Sequence, residues 1–265
     1  MVRETLFDQL TPVALYGKIR ELFPSEITML FESVVNNGDG NFSFITIGDM
    51  ERVTYKGGKS YYKRGERSEI VDSDPFNLLQ EYYRAIDRDR YNRLKQELGF
   101  SFVDGFIGYI GYDMVQLFEP TLKPYMENLK DTLNCPDLDL VRPSIILAFS
   151  HKSSKLTIII NDENYIDRFD DIEALIYREY IPERLKRANL YGTGEYTIDE
   201  ERFKSIVLES KEMIRSGDIF QILISNRYTQ KGEIEPLSFY RLLRSKNPSP
   251  YLFLLDYEEF SICGS

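Results

Sequence analysis

Acid–base and nucleophilic chemistry near neutral pH draws first on histidine and cysteine, and this 265-residue chain has one His, His151, and two Cys, Cys135 and Cys263. A Ser-His or Cys-His hydrolase would need His151 as its base. His151 lies in AFSHKSSKL, a polar interruption between apolar runs, and that pattern predicts a hairpin turn rather than a catalytic pocket. Two widely spaced cysteines make no disulfide framework, and the absence of close-spaced Cys/His pairs argues against a zinc site. A formal net charge of −10 argues against nucleic acid as a partner, because phosphate backbones are held by clustered Lys and Arg. No apolar run approaches the ~18–20 residues that span a bilayer, and MVRETLFDQL lacks an uninterrupted apolar signal core. The expectation is a cytoplasmic protein with no membrane partner.

The elements that must position any site are legible from periodicity. With 42% hydrophobic residues, 19 Tyr and 17 Phe, the chain can bury a sizeable core, and its length suits two domains. Residues 26–71 alternate as ITMLFESVV, FSFITIGD and ERVTYKGGKSYYKRG, an antiparallel meander broken at Asn36 to Gly40 and at Gly57-Gly58. Asp74 and Pro75 open a helix as N-cap and first helical residue, with Leu78, Leu79, Tyr82, Tyr83 and Ile86 on one face. SIILAF and LTIII, around SHKSSK, predict adjacent buried strands. A helix is expected over residues 165–189, followed by a loop LYGTGEY that marks the domain boundary near residue 192. Thr197 and Glu200 have capping-box spacing for a helix ended by Gly217. IFQILISNRYTQ predicts a strand, PLSFYRLLRSK a helix, and YLFLLDYEEFSICGS two strands around an acidic turn. The strand-like end at FSIC leaves an edge for further pairing.

Four short segments rise above this general pattern: Phe31-Glu32-Ser33, FIGYIGYD at 106–113, SGDIFQILISNRY at 216–228 and NPSPY at 247–251. GYIGYD alone reads as a glycine-hinged connection from strand to helix, and NPSPY as a rigid extended loop. In this order and spacing they resemble the large subunits of anthranilate synthase, a chorismate-utilising family, over essentially the whole chain. The resemblance implies an α+β fold, an α/β sandwich of largely antiparallel packed sheets flanked by helices. It implies an N-terminal domain over 1–191 and the opening of a chorismate-binding domain over 192–265.

The resemblance also implies a lyase reaction of tryptophan biosynthesis. Chorismate and ammonia from a partner glutamine amidotransferase subunit give anthranilate and pyruvate, with Mg2+ as Lewis acid and template. The family's metal-binding glutamates and catalytic histidine match no segment here. The expectation is therefore that the full-length protein is the enzyme and that this chain, ending at Ser265, is its non-catalytic N-terminal portion. Gly264 and Ser265 would open a segment that lines the active site. Gln221 is the other expected lining residue. Related enzymes that add water to chorismate carry a lysine base there, and a glutamine amide cannot take up a proton near neutral pH. Ammonia needs no such base, so Gln221 suits amination. Feedback inhibition by L-tryptophan is implied at Glu32, Ser33, Pro250, Tyr251 and Leu252, with the carboxylate pairing to the effector ammonium and the pocket clasping the two domains. Phe31 departs from the family's second leucine, and Asn41-Phe42-Ser43 from its more basic pattern. Asp104-Gly105 replaces a common Gly-Gly, and Gln116 a common Arg. The alternatives are an aminodeoxychorismate synthase component I, whose patterns fit less well, and a non-catalytic module that binds an effector or partner.

Overall fold

The computed structural model describes residues 1–33, 42–126, 129 and 131–265. Asn41 and the predicted break at Asn36 to Gly40 lie outside them. The chain forms two compact units, Met1–Pro182 with Tyr240–Ser265, and Glu183–Phe239.

Among the described residues the first unit is built on two antiparallel sheets. Seven strands form the larger, in the order β1 (Val2–Leu6), β10 (Lys155–Ile160), β9 (Ile145–Ser150), β3 (Phe42–Ile47), β2 (Thr28–Ser33), β13 (Tyr251–Asp256), β14 (Ser261–Gly264). Five form the smaller, in the order β6 (Arg67–Val71), β5 (Lys59–Arg64), β4 (Glu51–Lys56), β8 (Leu138–Arg142), β7 (Ile107–Ile110). Met29 and Leu255 of the larger sheet pack against Val141 of the smaller, with Ile27, Tyr257, Ile107 and Tyr109 around them. This apolar layer is the centre of a sandwich. The residues of β2 that alternate with Met29 turn to the opposite face, where α1 (Pro12–Leu22) lies against β2 and β3 and also meets α6 (Arg168–Tyr177). Leu15, Tyr16 and Ile19 of α1 and Ile172 of α6 are fully buried there.

Helices α2 (Pro75–Ala85) and α3 (Arg88–Leu98) follow the smaller sheet's first three strands. Asp74 caps α2 as expected, its Oδ1 accepting the Phe76 amide at 2.8 Å, with Pro75 in the first turn. α4 (Val115–Phe118) and α5 (Lys123–Met126) are single turns after β7. The architecture is the expected one, antiparallel sheets flanked by helices. Residues 28–71 are nevertheless no single meander, since β2 and β3 belong to one sheet and β4 to β6 to the other. The chain crosses over at Gly48, in left-handed conformation at φ +78°.

The second unit holds β11 (Asn189–Tyr196) paired with β12 (Tyr228–Glu233), and α7 (Glu200–Ser216). Several local expectations are corrected here and just before it. The helix expected over 165–189 ends at Tyr177, because Pro182 lacks an N–H and its ring disfavours helical backbone before it. LYGTGEY is part of a strand rather than a loop, its glycines absorbed in a bulge between Tyr191 and Glu195. Asp199, not Thr197, caps α7, its Oδ1 accepting the Arg202 amide at 2.8 Å. Gly217 does end that helix, at φ +86°. α8 (Pro236–Lys246) is the expected helix. The two final strands are also as expected, but they lie in the seven-stranded sheet. The compact units therefore do not follow the contiguous 1–191 and 192–265 division, because β13 is hydrogen-bonded to β2 along six residue pairs.

Candidate functional site

The polar cluster that merits attention forms where β2 runs out. Strand alternation sends Thr28, Leu30 and Glu32 to the helix-covered face, where Tyr16 hydrogen-bonds Thr28 Oγ1 at 3.0 Å. Glu32 is only 4% exposed. A lone carboxylate buried so deeply would be costly, and two groups offset it. Tyr240 of α8, itself fully buried, donates its hydroxyl to Glu32 Oε2 at 2.6 Å. Arg244, one turn further along, places Nε 2.9 Å from the same oxygen. That contact is electrostatic, since Nε–H is not aligned on any acceptor among the described residues. Burial, then the Glu32 charge, pushes the Tyr240 phenol well above its ordinary range, so it stays a donor.

Ser43 of β3, next to the Phe31–Phe44 pair that ends the β2–β3 ladder, shares a 2.8 Å hydrogen bond with His151 Nε2. His151 stands in the β9–β10 turn, as the sequence predicts, with its ring edge-on to Phe149. Burial lowers its pKa, while Glu32 opposes that shift and Arg244 adds to it. Leu252 of β13 is paired with Glu32 and buried. The arrangement is a carboxylate, a guanidinium, a phenol and an imidazole around one end of a sheet. It can hold a small ampholyte through charge-assisted hydrogen bonds.

Of the residues singled out for an effector, Glu32 and Leu252 therefore share one face. Ser33 and Tyr251 pair with each other at the next register position and project to the opposite face. Tyr251 is 69% exposed, and Pro250 is an exposed bend before β13. The Ser33 hydroxyl is buried with no partner among the described residues. Both strands lie in the same compact unit. The sequence reading does not single out Tyr240 or Arg244. Their only signal was the recurrence of aromatic and basic residues at helical spacing in PLSFYRLLRSK.

Gln221 stands in the second unit, exposed, in a stretch with no regular structure between α7 and β12. The strand expected over IFQILIS is absent, because a strand needs a neighbour and, among the described residues, β11 pairs only with residues 228–233. Asn226 takes the ladder's place, donating to the Ile198 carbonyl at 2.7 Å and accepting its amide at 3.0 Å. Phe220 and Leu223 are left almost wholly exposed. Gly264 lies opposite Phe253, and a Cβ there would come 2.5 Å from the Phe253 ring, which gives that glycine a packing reason. Ser265 Oγ accepts a hydrogen bond from Asn247 at 2.6 Å. Among the described residues no group of three or more His, Cys, Asp or Glu side chains is arranged to hold a metal ion.

The remaining motifs have plain structural roles. Gly108 and Gly111 of GYIGYD let the backbone approach the Asp139 and Asp137 carbonyls, and Gly111 N–H donates to Asp137 O at 2.6 Å. Asp104 grips Arg142 with both carboxylate oxygens, at 2.8 and 2.6 Å. Nothing in the structure explains Gln116.

A sheet sandwich with this motif order defines the class. The chain belongs to the chorismate-binding enzyme family, whose description matches residues 30–265. Among curated relatives it is 27% identical to anthranilate synthase component 1 of Lactococcus lactis, covering 100% of this chain and 56% of that protein. The corresponding figures are 30%, 100% and 54% for the Neisseria gonorrhoeae protein of that name, and 31%, 96% and 52% for that of Thermus thermophilus. The chain thus spans about half the length of the curated relatives it matches. The crystal structure of anthranilate synthase component I from Streptococcus pneumoniae superposes with a TM-score of 0.62 at 24% identity, over 88% of this chain and 52% of that one. The menaquinone-specific isochorismate synthase of Escherichia coli gives 0.55 at 10% identity, over 100% and 50%. Both share the fold. No described helix is long and apolar enough to cross a membrane.

Proposed function

We propose that this chain serves the reaction of anthranilate synthase component 1, the amination of chorismate to anthranilate with release of pyruvate. The observation that carries the reading is similarity to component 1 sequences along 96–100% of the chain. Gln221 supports it chemically, since an amide can hydrogen-bond ammonia or substrate but offers no base to activate water. The magnesium ligands and the catalytic histidine would come from sequence matching the other half of the relatives' length, and a glutamine amidotransferase would supply ammonia. A complete reading frame containing this chain is expected to make fluorescent anthranilate from chorismate, ammonium and magnesium. The 265-residue chain alone is expected to make none. Accumulation of isochorismate, or of an aminated product that keeps its enolpyruvyl group, would overturn the assignment.

The Glu32 cluster is the regulatory part of the proposal. An amino-acid effector such as L-tryptophan would place its ammonium on Glu32 in exchange for Arg244, freeing the guanidinium for the effector carboxylate. Leu252 would lie beneath it, and the exposed Pro250 and Tyr251 nearby. Ligand stabilisation follows RT ln(1 + [L]/Kd), or ~2.7 kcal/mol at a hundredfold excess over Kd, so a real site shows in a thermal scan. Glu32→Gln and Arg244→Gln should each abolish the shift. A shift that persists in both would place the effector elsewhere.

A further inference from the structure

A second site lies in the same compact unit, apart from the Glu32 cluster and independent of the functional reading above. Between α2, α3 and strands β4, β5, β6 and β8 of the smaller sheet is a cavity of about 680 Å3, within the ~300–1,000 Å3 typical of small-molecule sites. Its innermost polar groups form one network. Arg142 is held by Asp104 through two hydrogen bonds and by Glu51 through Nη1 at 2.6 Å, and Tyr62 donates to the other Glu51 oxygen at 2.5 Å. Two carboxylates against one guanidinium leave one negative charge uncompensated. The whole lining repeats the imbalance, with five acidic side chains against three arginines.

Tyr82 sits over this network. The Arg142 guanidinium carbon is 4.8 Å from the centre of its ring, and its hydroxyl oxygen is buried with no hydrogen-bond partner among the described residues. Burial, then the nearby Asp104, keeps the phenol neutral, so its oxygen retains lone pairs for a donor. The walls are otherwise aromatic and aliphatic: Tyr62, Tyr91, Phe106, Leu78 and Leu94. An anion would meet the uncompensated carboxylate. A bare divalent metal would lack a third ligand, since no such cluster exists among the described residues. A cation on an apolar body meets carboxylates, lone pairs and ring faces together.

We propose that this cavity binds an organic monocation, a primary ammonium on an aromatic or aliphatic body, with its N–H groups directed to Tyr82 Oη and to the Glu51 and Asp104 carboxylates. Water filling is the competing occupant, because a polar cavity of this size can hold several ordered waters.

The test uses the 265-residue chain and three near-isosteric probes: 2-phenylethylammonium, 2-phenylethanol and 3-phenylpropionate. Calorimetric titration should show saturable binding of the ammonium, at least about tenfold tighter than the alcohol, and no saturable binding of the acid. Tyr82→Phe removes only the unpartnered oxygen and should weaken the ammonium about tenfold, the size of one charge-assisted hydrogen bond. Glu81→Gln at the lining gives a second reading if that variant folds poorly, with affinity about threefold lower. Glu32→Gln should leave binding unchanged. Equal binding of alcohol and ammonium, tighter binding of the acid, loss of binding in Glu32→Gln, or no saturable binding at all would each overturn the proposal.

Discussion

Tyr240 and Arg244 differ in how much each does for Glu32. The phenol is fully buried and makes an aligned bond to the carboxylate, whereas the Arg244 side chain is 39% exposed and unaligned. Tyr240→Phe should therefore cost about 1.5–3 kcal/mol, the range for a hydrogen bond to a charged group. Arg244→Gln should cost less, about 1 kcal/mol or under, as for solvent-screened pairs. Hydrogen exchange at the Leu30 and Phe31 amides reads the local difference, and equal protection in the two variants would contradict it. The neighbouring His151 makes the unit sensitive to acid. Burial lowers its folded pKa below the ordinary 6.5, so the unfolded chain binds more protons in the window between the two values. Stability should be full above about pH 6.5 and fall as pH drops through that window. His151 is only partly buried, so the change is small, on the order of a degree in the thermal midpoint. His151→Gln should flatten that slope. Glu32 itself was legible from its motif, but its partners were not, because a residue 208 positions away in sequence leaves no local pattern.

At the scale of elements, Gly108 carries the sharpest expectation. It sits in β7 at φ +153°, a conformation side chains rarely adopt, and a Cβ would press into the Asp139 carbonyl and come 2.8 Å from the Tyr257 hydroxyl. That hydroxyl already donates to the same carbonyl at 2.8 Å. Gly108→Ala should break the β7–β8 ladder and cost more than about 3 kcal/mol, while Gly57→Ala, with open space at its turn, should cost about 1 kcal/mol. Urea midpoints of the two variants check the ranking. The elements read correctly from sequence were those with local signals, such as the Asp74-Pro75 start of α2 and the polar turn between β9 and β10. The misread ones depended on distant partners. IFQILIS has strand composition, yet residues 219–227 have no neighbouring strand among the described residues, and the glycines of LYGTGEY pair as a bulged strand because β12 runs alongside. α3 was missed, since RDRYNRLKQEL offers only Tyr91, Leu94 and Leu98 to the core.

On the scale of the molecule, the topology closes a long loop in sequence. Tyr240–Ser265 completes the sheet begun by the first 182 residues, with Leu252, Leu254 and Leu255 buried in it. Composition alone favoured a contiguous division because the shift in pattern near residue 192 is local, while the β2–β13 pairing is not. The two divisions predict different behaviour after a single cut. Residues 178–188 are exposed and without regular structure, and they carry Arg178, Arg184, Lys186 and Arg187. Trypsin should cleave there first, giving two bands on a denaturing gel. Under native conditions the nicked chain should still elute as one species, since six residue pairs of β2 and β13 and the buried leucines hold the fragments together. Urea should then separate them. Separation without denaturant would mean that the C-terminal strands fold with the second unit alone. A chain ending at residue 239 gives the complementary test. It exposes the β2 edge and leaves Met29 and Leu30 without the β13 side of their packing, so it should aggregate or bind a hydrophobic dye where the nicked protein does not.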